Sequence, residues 1–319
     1  MHKNSLIVLR LFLSFSIILL SILTKAGRNN LLQNEVSEIE GRWDLTLYDS
    51  ITELPSWLEI QRSGNNTLVG QFVGYWGSSR PISRINFGKD SISFSIPPQW
   101  ENGTHDLLVE GRLADDKLTG IIILCDGKIL KWSGVRAPAL LRKSTPAWGK
   151  PITLFNGKDL HGWHTSGKIN QWVAEEGVLR SPESGSNLLT DQSFTDFKLH
   201  IEFRYPKGSN SGVYLRGRYE VQIEDEDELF SKQLGSIYGF IAPSERIPKI
   251  PGTWQSYDIT LIGRMVTLAV NGKIVICHQE IPGITGGAIN SKEAEPGPFQ
   301  LQGDHGPIEF RNIVITPGL

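Results

Sequence analysis

Three closely spaced segments alternate apolar and polar residues: Phe197 to Tyr205, Ser211 to Arg216 and Tyr219 to Glu224. Successive side chains of a strand point to opposite faces. Phe197, Leu199, Ile201, Phe203 and Tyr205 therefore form one set, and Lys198, His200, Glu202 and Arg204 the other. The same sorting sets Tyr214 and Arg216 against Val213 and Leu215, and Glu220, Gln222 and Glu224 against Tyr219, Val221 and Ile223. Read as neighbouring strands, the three share a polar face bearing Glu202, Arg204, Tyr214, Arg216, Glu220 and Gln222. A plain solvated face is usually built from Lys and Glu. This one mixes carboxylates, guanidiniums, an amide and a phenol, which suits recognition of hydroxyl groups with carboxylates at hand for proton transfer.

Near the C-terminus, Gln302-Gly303-Asp304-His305-Gly306-Pro307 is a polar, glycine-flanked turn between two apolar strands. His305 is one of only seven histidines, and Asp304 beside it is placed to orient its ring. The run Glu224-Asp225-Glu226-Asp227-Glu228 lacks the spaced ligands and glycine of a calcium loop and reads as a solvated acidic loop. No His-x-Glu-x-x-His, Cys-x-x-Cys, Gly-x-Ser-x-Gly or phosphate loop occurs, so zinc peptidase, redox, serine hydrolase and nucleotide chemistries find no support.

The elements that must position these groups are strands. Helical periodicity is almost absent, and short alternating runs recur between Gly, Pro, Asn and Asp. A first domain is expected over residues 38–137, with six or seven antiparallel strands forming a small β-barrel or sandwich. Trp43, in its Gly-x-Trp opening, reads as a core plug. Residues 138–151, with three prolines and no alternation, read as a stiff linker. A second all-β domain follows over residues 152–319, whose strand count and Asn271-Gly272 hairpin turn argue for a two-sheet jelly roll. A fragment starting near Lys150 is accordingly expected to fold alone and keep any activity.

Lys3 and Arg10 precede an apolar run over Leu11 to Leu23, and Ala26 offers a small residue for cleavage. That order is expected of a cleaved signal peptide over residues 1–26, and so of a periplasmic or extracellular protein with no membrane association after cleavage. Formal net charge is −2, with 32 basic and 34 acidic residues, which leaves no electrostatic footprint for nucleic acid. Two cysteines, Cys125 and Cys277, fall in different domains and are expected as buried free thiols.

Several segments together resemble one bacterial family, the 3-keto-disaccharide hydrolases. They are Leu154 to Trp163, Phe197 to Arg204 with Gly208 to Arg216, Tyr219 to Ile223, Gly235 to Gly239, Gly252 to Tyr257, and Gln302 to Ile313. The resemblance covers essentially all of residues 152–319 and none of the first domain. It implies a concanavalin A-like sandwich and substrates oxidised to a ketone at C3 of a sugar. Such a ketone acidifies the C2 proton; a base removes it, the enolate expels the C1 leaving group, and water adds back. Ordinary glycosidases instead need two opposed carboxylates. On this resemblance Glu202, Glu220 and His305 are base and acid candidates with Asp304 orienting. Arg204, Asn210, Tyr214, Arg216, Gln222 and Gln302 are expected to bind substrate, and the arginines to steady the enolate. A divalent metal held by the carboxylates would steady it equally well. The competing reading is a carbohydrate-binding protein without catalysis, because fold does not fix activity.

Overall fold

The computed structural model describes residues 38–226 and 229–319, so the signal-peptide expectation for residues 1–26 lies outside the described residues. Among those described, no helix is long and apolar enough to cross a membrane.

The first unit is a closed barrel of eight antiparallel strands. They are Gly41–Asp49, Thr52–Ser63, Thr67–Val73, Arg80–Gly88, Ser91–Ile96, Leu107–Ala114, Lys117–Ile123 and Ile129–Arg136. Each pairs with the next, and the first closes on the last through Trp43↔Arg136 to Tyr48↔Lys131. Alternation alone misses Arg80–Gly88. Pro81 removes a ladder donor, and a register shift between Leu68 and Gly70 breaks the pairing there. Inward residues such as Trp43, Leu45, Leu58, Phe72, Ile92 and Leu118 fill the barrel. Trp43 is the expected core plug: fully buried, with its indole N–H donating to the Ile39 carbonyl (3.0 Å) and the Arg136 guanidinium 3.8 Å over its ring.

The second unit is a sandwich of two antiparallel sheets. One sheet runs Trp163–Thr165, Leu188–Phe194, Gly297–Leu301, Asn210–Leu215, Tyr219–Glu224. The other runs Val173–Glu175, Val178–Ser181, Ile308–Pro317, Phe197–Arg204, Gln255–Ile262, Met265–Val270, Lys273–Glu280, with Ile152–Thr153 pairing beside Ile308–Pro317. The hairpin at Asn271-Gly272 has both residues at positive φ (51° and 79°), as a type I′ turn demands. Between the sheets lie Leu199, Ile201, Phe203, Val213, Leu215, Val221, Ile223, Phe299 and Phe310, all buried.

Residues 138–151 do not hang free between the two units. Arg142 clamps Asp196 with two hydrogen bonds (2.7 and 3.2 Å), and the backbone N–H groups of Gly149 and Leu319 donate to the carbonyls of Pro317 and Ala147, respectively. Barrel and sandwich also touch directly. Trp57 belongs to the sandwich core, edge-on to Phe240 (5.3 Å), over a Gly283 where an added Cβ would stand 2.2 Å from its indole nitrogen. Glu293 of the sandwich accepts from Arg264 (2.6 Å) and Tyr219 (2.7 Å), and burial with this neighbouring charge pushes the barrel's Asp44 well above the ordinary aspartate range. Both cysteines are free; Cys125 is buried as expected, but Cys277, on Lys273–Glu280, the last strand of its sheet, is exposed.

Candidate active site

The five-stranded sheet turns one face inward to the core and the other to a cavity of about 700 Å³. Strands Asn210–Leu215 and Tyr219–Glu224 pair in the register Asn210↔Glu224, Gly212↔Gln222 and Tyr214↔Glu220. Alternation then sends Val213, Leu215, Val221 and Ile223 into the core and Asn210, Tyr214, Glu220 and Gln222 into the cavity. Gly212 sits in the middle of that polar face, and an ideal Cβ there would lie 2.4 Å from Glu220 Oε1. Its missing side chain is the space in which the Glu220 carboxylate lies.

Glu220 is buried. Loss of solvent pushes its carboxyl up to about 8, against opposing contributions from the Tyr214 hydroxyl and the charge of His305. With its amide nitrogen turned to the acceptors, Gln222 donates to Glu220 Oε1 (3.0 Å) and to the Ser211 carbonyl (3.2 Å). Burial raises the Tyr214 phenol well above its usual range, so it stays a hydroxyl, donating to the Gly286 carbonyl at 3.0 Å. Opposite them, His305 Nδ1 and Asp304 Oδ1 are 2.7 Å apart. That hydrogen bond holds the imidazole above its ordinary value against partial desolvation, with further help from the charges of Glu220 and Glu224. Asn210 donates to Glu224 (2.6 Å), and the amide oxygen of Gln302 is buried in the cavity wall with no partner. The cavity thus holds a carboxyl able to exchange a proton near neutrality, an imidazole whose proton affinity Asp304 raises, and several hydroxyl-matching groups.

The rest of the wall was not visible to strand alternation. Trp76, Gly77, Gln99 and Trp100 come from two barrel loops, Lys232 from the short 3-10 helix Phe230–Lys232, and Tyr238 and Gly286 from loops of the sandwich. The barrel loop is pinned where glycines allow close approach: Gly287 donates its N–H to the Tyr75 carbonyl (3.0 Å), and a Cβ on Gly286 would meet Gly77 O at 2.1 Å. Two exposed tryptophans in glycine- and proline-rich loops, Trp76 and Trp100, were the signal that could have found this wall.

Three expected site residues are elsewhere. Phe197–Arg204 belongs to the other sheet, between Ile308–Pro317 and Gln255–Ile262, so it shares no face with the strands that follow it. Glu202 accepts from Arg311 (2.6 Å) and Asn312 (2.7 Å); partial burial pushes its carboxyl up, but these hydrogen bonds outweigh it and hold the group below the ordinary glutamate value. Arg204 pairs with Glu309 (2.5 Å) and lies 4.7 Å over the Trp254 ring. Arg216 sits at positive φ (53°) in the turn between the two site strands, so alternation fails there. It is fully buried, donating to Tyr219 (2.8 Å). The expected effect of Glu202→Gln is accordingly structural: turnover within about twofold of the parent, with stability lower by roughly 1 kcal/mol, a loss of a few degrees in Tm. Steady-state kinetics beside thermal melts checks it.

Among the described residues, no group of three or more His, Cys, Asp or Glu side chains converges as a metal-ligand set. Glu202 and Glu220 lie in different sheets, so they do not act together on one ligand. In the acidic run Glu224 is buried instead of solvated, while Asp227 and Glu228 lie outside the described residues.

Residues 150–316 match the family model described as the 3-keto-alpha-glucoside-1,2-lyase-like domain. A curated 3-keto-disaccharide hydrolase of Bacteroides thetaiotaomicron is 32% identical over 88 residues, which span 24% of this chain and only 30% of that protein. Two solved structures of candidate glycosyl hydrolases from Parabacteroides distasonis are also similar. The first is 33% identical and covers 53% of this chain and 84% of its own, with a TM-score of 0.47. The second is 20% identical and covers 53% and 94%, with a TM-score of 0.44.

Proposed function

Because the chain belongs, through residues 150–316, to the 3-keto-alpha-glucoside-1,2-lyase-like domain family, we propose that it cleaves glycosides carrying a ketone at C3 of the sugar. The ketone makes the C2–H bond acidic. Glu220, ionised, takes that proton; the electron pair forms the enolate and then the C1–C2 double bond as the C1–O bond breaks. His305, its pKa raised by the hydrogen bond to Asp304, donates its proton to the departing oxygen. Water then adds across the enone and the released sugar keeps its ketone. Asn210, Tyr214, Gln222 and Gln302 hold the remaining hydroxyls.

One observation carries this reading: the lining glutamate is buried over Gly212 with its carboxyl near 8. A base of that strength is a better match for a proton beside a ketone than an ordinary carboxylate. A protein that only bound sugars would gain nothing from a buried ionisable carboxyl, which costs stability. The charge-then-apolar order of residues 1–26 supports export to the periplasm or beyond as part of the same proposal.

The test is substrate class. Incubated with methyl 3-keto-α-glucoside, 3-keto-trehalose and their unoxidised parents, the protein should release methanol or glucose from the keto forms alone. Robust hydrolysis of unoxidised trehalose or maltose would point to a conventional glycosidase, and binding without turnover of any keto form to a binding protein.

A further inference from the structure

The polar cavity has an apolar neighbour. Inside the barrel end nearest the sandwich lies a cavity of about 240 Å³, walled by Leu47, Phe72, Leu107, Ile122 and Leu124. The two cavities meet at Trp76 and Trp100, which line both. Tyr75 stands edge-on to each indole, with ring centroids 6.1 and 6.3 Å apart. Trp76 and Trp100 are 45% and 46% exposed. Large aromatic faces left half in water beside a cleft are typical of surfaces that receive a ligand. The barrel fold suits this, since eight strands enclose enough room for one small molecule.

We propose that the barrel cavity is an aglycone subsite, receiving an aromatic leaving group while the keto-sugar occupies the polar pocket. The inference rests on the keto-glycoside reading of that pocket. Size and lining decide the class of aglycone. An apolar cavity of about 150 Å³ is enough to take up benzene, so the barrel end can hold one aromatic ring. A second sugar would set several hydroxyls against mostly apolar walls, and of their charged groups Arg80 and Glu101 are already paired with each other at 3.1 Å while Asp126 accepts from the Lys128 backbone N–H (2.9 Å). Hydroxyls buried there without partners would cost more than the contact returns. The chain should therefore favour keto-glycosides of aromatic alcohols over 3-keto-disaccharides.

Matched methyl and benzyl 3-keto-α-glucosides separate this from leaving-group chemistry, because both expel an alkoxide of similar basicity and differ only in the ring. For the full chain, kcat/KM should be at least about tenfold higher for the benzyl compound, mostly through KM, the effect expected of burying a phenyl ring. Leu124→Trp, which fills the cavity from its wall, should bring that ratio close to one. Trp100→Ala, at a half-exposed position outside the barrel core, should lower it too. If the parent protein cleaves both compounds equally well, the subsite is refuted and the reading of the polar pocket stands. If it cleaves neither, that reading fails and the subsite falls with it. A ratio that survives both substitutions would also refute the barrel cavity as the binding place of the ring.

Discussion

Glu220→Gln should lower kcat on a 3-keto-glycoside by about 10²- to 10⁴-fold, the usual cost of losing a general base, while leaving the fold intact. The amide keeps the shape that Gly212 makes room for and can still meet Tyr214 and Gln222. The pH dependence identifies the group. For the parent, kcat/KM should rise with pH as Glu220 ionises, with an acid-limb midpoint set by its carboxyl at about 8, and lose rate where His305, held above its ordinary value by Asp304, gives up its proton. Because the two groups interact, the midpoints belong to the pair. In the variant the acid limb should vanish. Stability supplies an independent sign. A carboxyl whose folded pKa lies above its unfolded value keeps its proton in the native state after the unfolded chain has lost it. The unfolded state then binds fewer protons, so stability falls as pH rises from the ordinary glutamate range to about 8. Glutamine carries no such penalty, so the melting temperature of Glu220→Gln should gain on the parent between pH 5 and pH 8. Melts at several pH values beside rate profiles check both. Full activity in the variant would remove Glu220 from the reaction, and a melting difference independent of pH would show its carboxyl to be unperturbed.

Within the strands, alternation was a reliable guide, and that is why Tyr214, Glu220 and Gln222 were found together, while Asn210 entered through the family resemblance. Faces are local: period two follows from the pleat and needs no knowledge of partners. Which strand lies beside which is a question of topology, and there the sequence is nearly silent. Phe197–Arg204 alternates as cleanly as the two strands after it, yet the chain crosses to the opposite sheet between Arg204 and Asn210. Glu202 and Arg204 left the site for that reason alone. The Asp304-His305 turn was legible because polar residues flanked by glycine between two strands have few other uses. The barrel loops were not, because Trp76 and Trp100 lie in stretches without period and matter only through contacts with residues about two hundred positions away. Gly212 was visible as a letter but not as a cradle; its role depends on Glu220, two residues along the strand from its cross-strand partner Gln222.

The largest departure from the sequence reading concerns the barrel, and it reverses an expectation. A fragment starting near Lys150 should lose at least about 10²-fold in kcat/KM, since misplacing substrate by about an ångström already costs that much. The fragment lacks the wall formed by Trp76, Gly77, Gln99 and Trp100, and opens the Glu220 side of the pocket to water. Water there would let the carboxyl return toward its ordinary value, weakening the base just as the substrate loses its support. The fragment also loses Trp57, a buried member of the sandwich core packed on Phe240, and leaves that slot empty. It should therefore melt lower than the full chain as well as turn over slowly. Circular dichroism and kinetics on the same sample separate these effects. A folded, inactive fragment, partly rescued by adding residues 38–137 in trans, is the expected result. Trp76→Ala with Trp100→Ala in the full chain gives a second view that does not depend on the fragment folding, because both side chains are exposed and neither supports a core. A folded fragment with full activity would show that the sandwich alone holds the site and that the barrel serves some other end.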